Sequence, residues 1–107
     1  MDEQRKEISA IFDAFITDFL TSGKPQAPYI QFASIMTRAN YEAHRRLYCG
    51  EREHTSVPTL RKVLRNLGED PDEIVISVFL REELPEGITL PNEYDGIRVL
   101  TETVRKR

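Results

Sequence analysis

IVISVFL, residues 74–80, is uncharged, and four of its seven side chains are β-branched. A run of this kind fits a strand buried on at least one face. It constrains the rest of the chain, because such a strand must be covered. IRVLTETV, residues 97–104, is a second strand candidate. The stretch between them, ELPEGITLPNEYDG at 83–96, is too long and too proline-marked for a tight hairpin, although Ile88 to Leu90 can form a short extended piece. Two or three strands alone are marginal in water. They must pack on helices of this chain or pair with strands of another.

The helices are supplied upstream. Ile8, Ile11, Phe12, Phe15, Ile16, Phe19 and Leu20 recur at spacings of three and four, the stripe of an amphipathic helix. Gly23 suits a left-handed C-terminal cap and Pro25 blocks continuation. KPQAP, residues 24–28, is a connector. A second helical stretch is predicted from about Tyr29 to Tyr48, with Phe32, Ile35, Met36, Ala39, Ala43 and Leu47 on its apolar face. It reads equally as one helix or as two, with Asn40 capping the second. A third helix is capped by Ser56 or Thr55, tolerates Pro58 in its first turn and ends at Gly68. Val57, Leu60, Val63, Leu64 and Leu67 form its inner stripe, with Arg61, Lys62 and Arg65 outward. Asp70-Pro71 reads as a turn.

These elements predict a single α+β domain over 1–107. Three N-terminal helices, within 3–68, precede a small two- or three-stranded β element formed by a strand-loop-strand at 73–104. A chain of 107 residues can bury a core without staples. Its composition, 39% hydrophobic and 31% charged, is that of a soluble globular protein. No apolar run approaches a membrane span, the charged start MDEQRKEIS has no signal-like apolar region, and a lone cysteine fits a reducing, cytoplasmic setting.

The net charge of −3 is unevenly placed. Residues 38–68 carry seven Lys/Arg against three acids, and residues 69–103 carry ten acids against Arg81 and Arg98. The densest chemistry is HRRLYCGEREH at 44–54, with both histidines and the only cysteine. His44, Cys49 and His54 do not have the spacing of a zinc site, since a helix carries His44 and Cys49 to different faces. No nucleophile elbow, P-loop, dinucleotide fingerprint or HExxH occurs. The expectation is a non-catalytic protein with no metal and no cofactor.

Residues 30–68 resemble the helix-turn-helix of Cro/repressor-type regulators, particularly antidotes of addiction modules. Ala33, the phrase Leu47-Tyr48-Cys49-Gly50 and the run from Val57 to Gly68 carry the resemblance. It implies a transcriptional regulator that binds double-stranded DNA. Asn40 to Tyr48 is then the recognition helix, presenting Tyr41, Glu42, Arg45 and Arg46 to the major groove. Arg38, Arg52, Arg61 and Lys62 are then phosphate contacts. Such regulators are commonly two-fold dimers, so a homodimer is expected. The competing reading of these bases is a solvated face.

The alternative function is a protein–protein interaction module, a small adaptor or inhibitor. It would act through the acidic strand-loop-strand, with Leu84, Ile88, Leu90 and Tyr94 as anchors and strand 97–104 as an open edge for another chain.

Overall fold

The computed structural model describes residues 2–49 and 55–105, with side chains from Lys6 onward. Helix α1 (Asp2–Phe15) runs without a break into a π-helical turn at Ile16–Leu20. Strand β1 (Ile30–Thr37) leads directly into helix α2 (Arg38–Tyr48). Helix α3 (Val57–Asn66) precedes β2 (Ile74–Leu80), and the short β3 (Glu93–Tyr94) turns into β4 (Ile97–Thr103).

The four strands form one mixed sheet in the order β1-β2-β4-β3. β1 pairs antiparallel with β2, β2 parallel with β4, and β3 antiparallel with β4. β2 is the centre, and its last six residues are buried. Alternation divides its side chains between two cores. Ile76, Val78 and Leu80 face α1 and gather around the fully buried Phe15, with Val99 of β4. Val75 and Phe79 face the other way, onto Tyr41 of α2, with Phe32, Met36 and Leu100. α1 thus covers one face of the sheet, and α2, packed against α3, covers the other.

This overturns the expected order of three helices followed by a small β element. A strand precedes α2, and the four-stranded sheet is the middle layer. The long helical stretch from Tyr29 to Tyr48 does not exist; residues 30–37 are extended. Phe32 and Met36 face the α2 side while Ala33 and Ile35 face the α1 side, so the segment fits a period of two as well as a helical one. The neighbour decides, because β1 zips to β2 from Ile30↔Leu80 to Thr37↔Ile74, with one bulge between Ile30 and Phe32. Thr37, not Asn40, caps α2, its hydroxyl accepting from the Asn40 amide at 3.3 Å.

Other local signals act as the sequence suggests. Ser56 caps α3, accepting from the Thr59 amide at 3.4 Å. Gly68, at φ +81°, ends α3 with paired bonds from its own amide to the Arg65 carbonyl and from the Glu69 amide to the Leu64 carbonyl. The segment from Arg81 to Asn92 returns the chain to a position parallel to β2. It packs Leu84 and Leu90 onto the α1-side core. Gln26 ties it down, donating to the Thr89 carbonyl at 2.8 Å. β3 and β4 are joined by Asp95-Gly96, both at positive φ (48° and 82°), in a two-residue hairpin turn. No helix among the described residues is long and apolar enough to cross a membrane.

Candidate functional site

Two helical faces meet between α2 and α3. On α2, Arg38, Glu42, Arg45 and Arg46 follow spacings that keep them on one side. On α3, Leu60, Val63, Leu64 and Leu67 do the same. Together with Glu69 they line a cleft of about 440 Å³, inside the ~300–1,000 Å³ range common for ligand sites. Leu60 and Leu64 are buried. Val63 and Leu67 are not: 38% and 72% of their surface faces solvent. The five-residue stripe expected to lie inward on α3 is therefore only partly covered. The uncovered part opens on the cleft.

The polar wall is an ion-pair chain. Arg38 reaches Glu42 at 3.5 Å and Glu69 at 3.8 Å. Arg45 binds the other oxygen of Glu42 at 3.0 Å. Burial alone would push the Arg45 pKa down, but the Glu42 hydrogen bond and charge outweigh it and hold the guanidinium above its ordinary value. Glu69 also faces Arg98 of β4 at 3.7 Å, and Arg98 donates to Glu73. On the outer side of α3, Arg61 grips Asp72 through both nitrogens, at 2.5 and 3.0 Å.

The residues proposed for DNA contact are thus placed very differently from one another. Arg38, Arg45 and Arg46 line the cleft. Arg61 is held by Asp72, and Lys62 is exposed. Tyr41, expected to point outward, is instead buried beneath α2, with its hydroxyl donating to Glu102 of β4 at 2.7 Å. The reason is helical phase: a helix that begins at Arg38 over this sheet turns position 41 inward. Burial first, and then the Glu102 bond and charge, push the Tyr41 pKa upward. Arg52 lies outside the described residues. Residues 30–37, the first helix of the pair in the resemblance, are strand β1.

The anchors proposed in the acidic loop fare similarly. Leu84, Leu90 and Tyr94 are spent on the α1-side core, and Ile88 is half-buried. Tyr94 donates to Asp18 at 2.5 Å and packs edge-on against Phe15 and Phe19. The expected open strand at 97–104 is flanked by β2 along its length and by β3 at its start.

Of the stretch 44–54, residues 44–49 are described, and His44 and Cys49 bond to different carbonyls. His44 Nδ1 lies 2.7 Å from the Asn40 carbonyl, which can only accept, so that nitrogen carries the proton. The Cys49 thiol donates to the Thr103 carbonyl at 3.4 Å. Burial, and then the Glu102 carboxylate, push its pKa up, opposite to an activated nucleophile. His54 is outside the described residues. Among the described residues no three His, Cys, Asp or Glu side chains are grouped to hold a metal.

Comparison of the chain with protein-family models, with curated proteins and with solved structures gave no match.

Proposed function

We propose that this is a non-catalytic protein-interaction module whose α2–α3 cleft receives an acidic, amphipathic segment of another protein. One observation carries the reading: Val63 and Leu67 stand exposed at a cleft whose floor is Leu60 and Leu64 and whose wall is arginine. A buried leucine is worth ~1.5–3 kcal/mol over an exposed one, so Leu67 gains from any apolar side chain laid beside it. Charge selects the partner. α2 and α3 carry six basic residues against Glu42 alone. Carboxylates flanking the apolar anchors can share Arg38 and Arg45 with Glu42 and Glu69, while Lys62 and Arg65 add a longer-range field. The interaction surface thus lies on the helices and not on the acidic loop.

The same basic pair of helices favours a second reading, a regulator that binds duplex DNA. Two of its parts are against it: Tyr41 is buried beneath α2 instead of facing a groove, and residues 30–37, the first helix of the pair, are strand β1.

Selection from a random peptide display library separates the two. The expected winners carry apolar residues at helical spacing among Asp and Glu, and lose binding to the Leu67→Asp variant. Winners lacking acids, or indifferent to that change, overturn the reading. Saturable binding of a mixed-sequence duplex with a steep salt slope would support the DNA reading instead.

A further inference from the structure

We propose that β1 is a self-association edge, through which two copies of this chain join antiparallel into one continuous eight-stranded sheet. β1 is terminal in the sheet order. Outside β2 and the first turn of α2, no backbone among the described residues bonds to residues 31–37. An uncovered edge offers a row of amides and carbonyls to any extended chain, and edges are ordinarily blunted by charge, proline or bulges. This one has a bulge at its first residues only. From Pro25 to Thr37 the sequence contains no charged residue, and from Tyr29 onward no proline.

The occupant follows from symmetry and from what lies beside the edge. Antiparallel pairing of a strand with its own copy is self-complementary about a two-fold axis. An uncharged strand brings no like charges together across that axis. An axis perpendicular to the sheet keeps each face on its own side, so the two α2 helices become neighbours. Each α2 begins where β1 ends and runs back over the sheet, reaching β4 through Tyr41 on one side and Phe32 of β1 through Tyr48 on the other. The flank of each helix that overlies β1 then faces its symmetry mate across the axis.

The side chains on that flank are mostly apolar, and two of them are exposed. Phe32 stacks on Phe79 at 4.7 Å and meets Tyr48 at 5.4 Å and His44 at 6.2 Å. Leu47, one helical turn beyond His44, is 59% exposed, and Tyr48 is 38% exposed. They form a patch continuous with the open edge, and distinct from the α2–α3 cleft. A second α2 laid alongside covers them.

Sedimentation equilibrium of the intact chain over a wide concentration range tests this, with amide hydrogen exchange at each end of the range. The expected species has twice the 12.4 kDa chain mass. Alternate amides within 32–37 should gain protection in the dimer and lose it on dilution. Leu47→Asp should weaken the dimer about a hundredfold, tenfold for each buried leucine. A protein that stays monomeric throughout overturns the proposal. So does a dimer whose 32–37 amides exchange no more slowly than in the monomer, or one unmoved by Leu47→Asp. Should that variant not fold, exchange in the unaltered chain decides the matter.

Discussion

Replacing Tyr41 by phenylalanine deletes one oxygen and leaves the ring that packs against Phe79. The lost hydroxyl donates to Glu102 at 2.7 Å, linking α2 to β4 across the sheet face. Hydrogen bonds to charged groups are worth ~1.5–3 kcal/mol net. Glu102 is only half-buried, so its carboxylate recovers some hydration when the donor goes. The lower end, about 1.5 kcal/mol at neutral pH, is therefore expected. At ~1–1.5 kcal/mol per molar urea for a small domain, the unfolding midpoint falls by about 1 M. The pH dependence sharpens the test. The folded pKa of Tyr41 is raised above the unfolded value of 10.0, first by burial and then by Glu102. The native state therefore holds the proton after the unfolded chain has released it. The tyrosine's contribution is complete below the unfolded pKa and is lost as pH rises toward the folded one. One group loses about 1.4 kcal/mol by pH 11. The phenylalanine variant has no such loss, so the gap between the proteins should nearly close there. Urea titrations at neutral pH and at pH 10–11, followed by circular dichroism, measure it. The other tyrosines titrate in both proteins and cancel in the difference. A gap that stays constant over this range would refute a buried hydroxyl on Glu102.

Ser77 is fully buried and its hydroxyl has no partner among the described residues. Ser77→Ala should therefore stabilise the fold by about 1 kcal/mol, removing an unsatisfied polar group at small volume cost; a lowered melting temperature would contradict this. Phe15→Ala should cost ~3–5 kcal/mol, because the ring fills the centre of the α1-side core and packs on Phe19 and Tyr94; calorimetry reads it. Thr37→Ala should cost about 1 kcal/mol by uncapping α2, with exchange at Asn40 and its neighbours accelerated first. Alkylation of Cys49 by iodoacetamide near neutral pH should run slower than that of a free thiol, since burial keeps the proton on sulfur.

Legibility in the sequence tracked how local the deciding interaction was. The strand 74–80 was readable to the residue, because six apolar positions, four of them β-branched, around a single serine admit little else. α3 was readable because its signals, Ser56, Pro58 and Gly68, act on the backbone within a turn of where they stand. Asp95-Gly96 was an equally local hairpin signal, obscured by the proline-marked loop around it. Residues 30–37 were different. Their apolar positions satisfy both periods, and the choice is made by a partner strand more than thirty positions away. That single ambiguity carried the others with it. If 30–37 is helix, Tyr41 is a surface residue and the arginines of α2 face outward. If it is strand, α2 starts at Arg38, and its phase drops Tyr41 onto Phe79 and turns Arg38, Arg45 and Arg46 toward α3.

The exposed apolar side chains follow from the same choice. Among the described residues, the large hydrophobic ones left open are Leu47, Tyr48, Val63 and Leu67, all on α2 or α3. The sheet explains why. Two helices cover this face, but a single apolar stripe on α2 suffices to bury Val75 and Phe79, and α3 packs mainly on α2. α3 therefore has a stripe wider than its contact. α2 overhangs an edge strand with nothing beyond it among the described residues. Val63 and Leu67 are surplus on the α3 side and Leu47 and Tyr48 on the β1 side, so two separate occupants are needed to cover them. A charge placed at Leu67 should thus leave self-association unchanged, and one placed at Leu47 should leave peptide capture by each copy unchanged. Loss of both functions from either change would mean that the two surfaces are one.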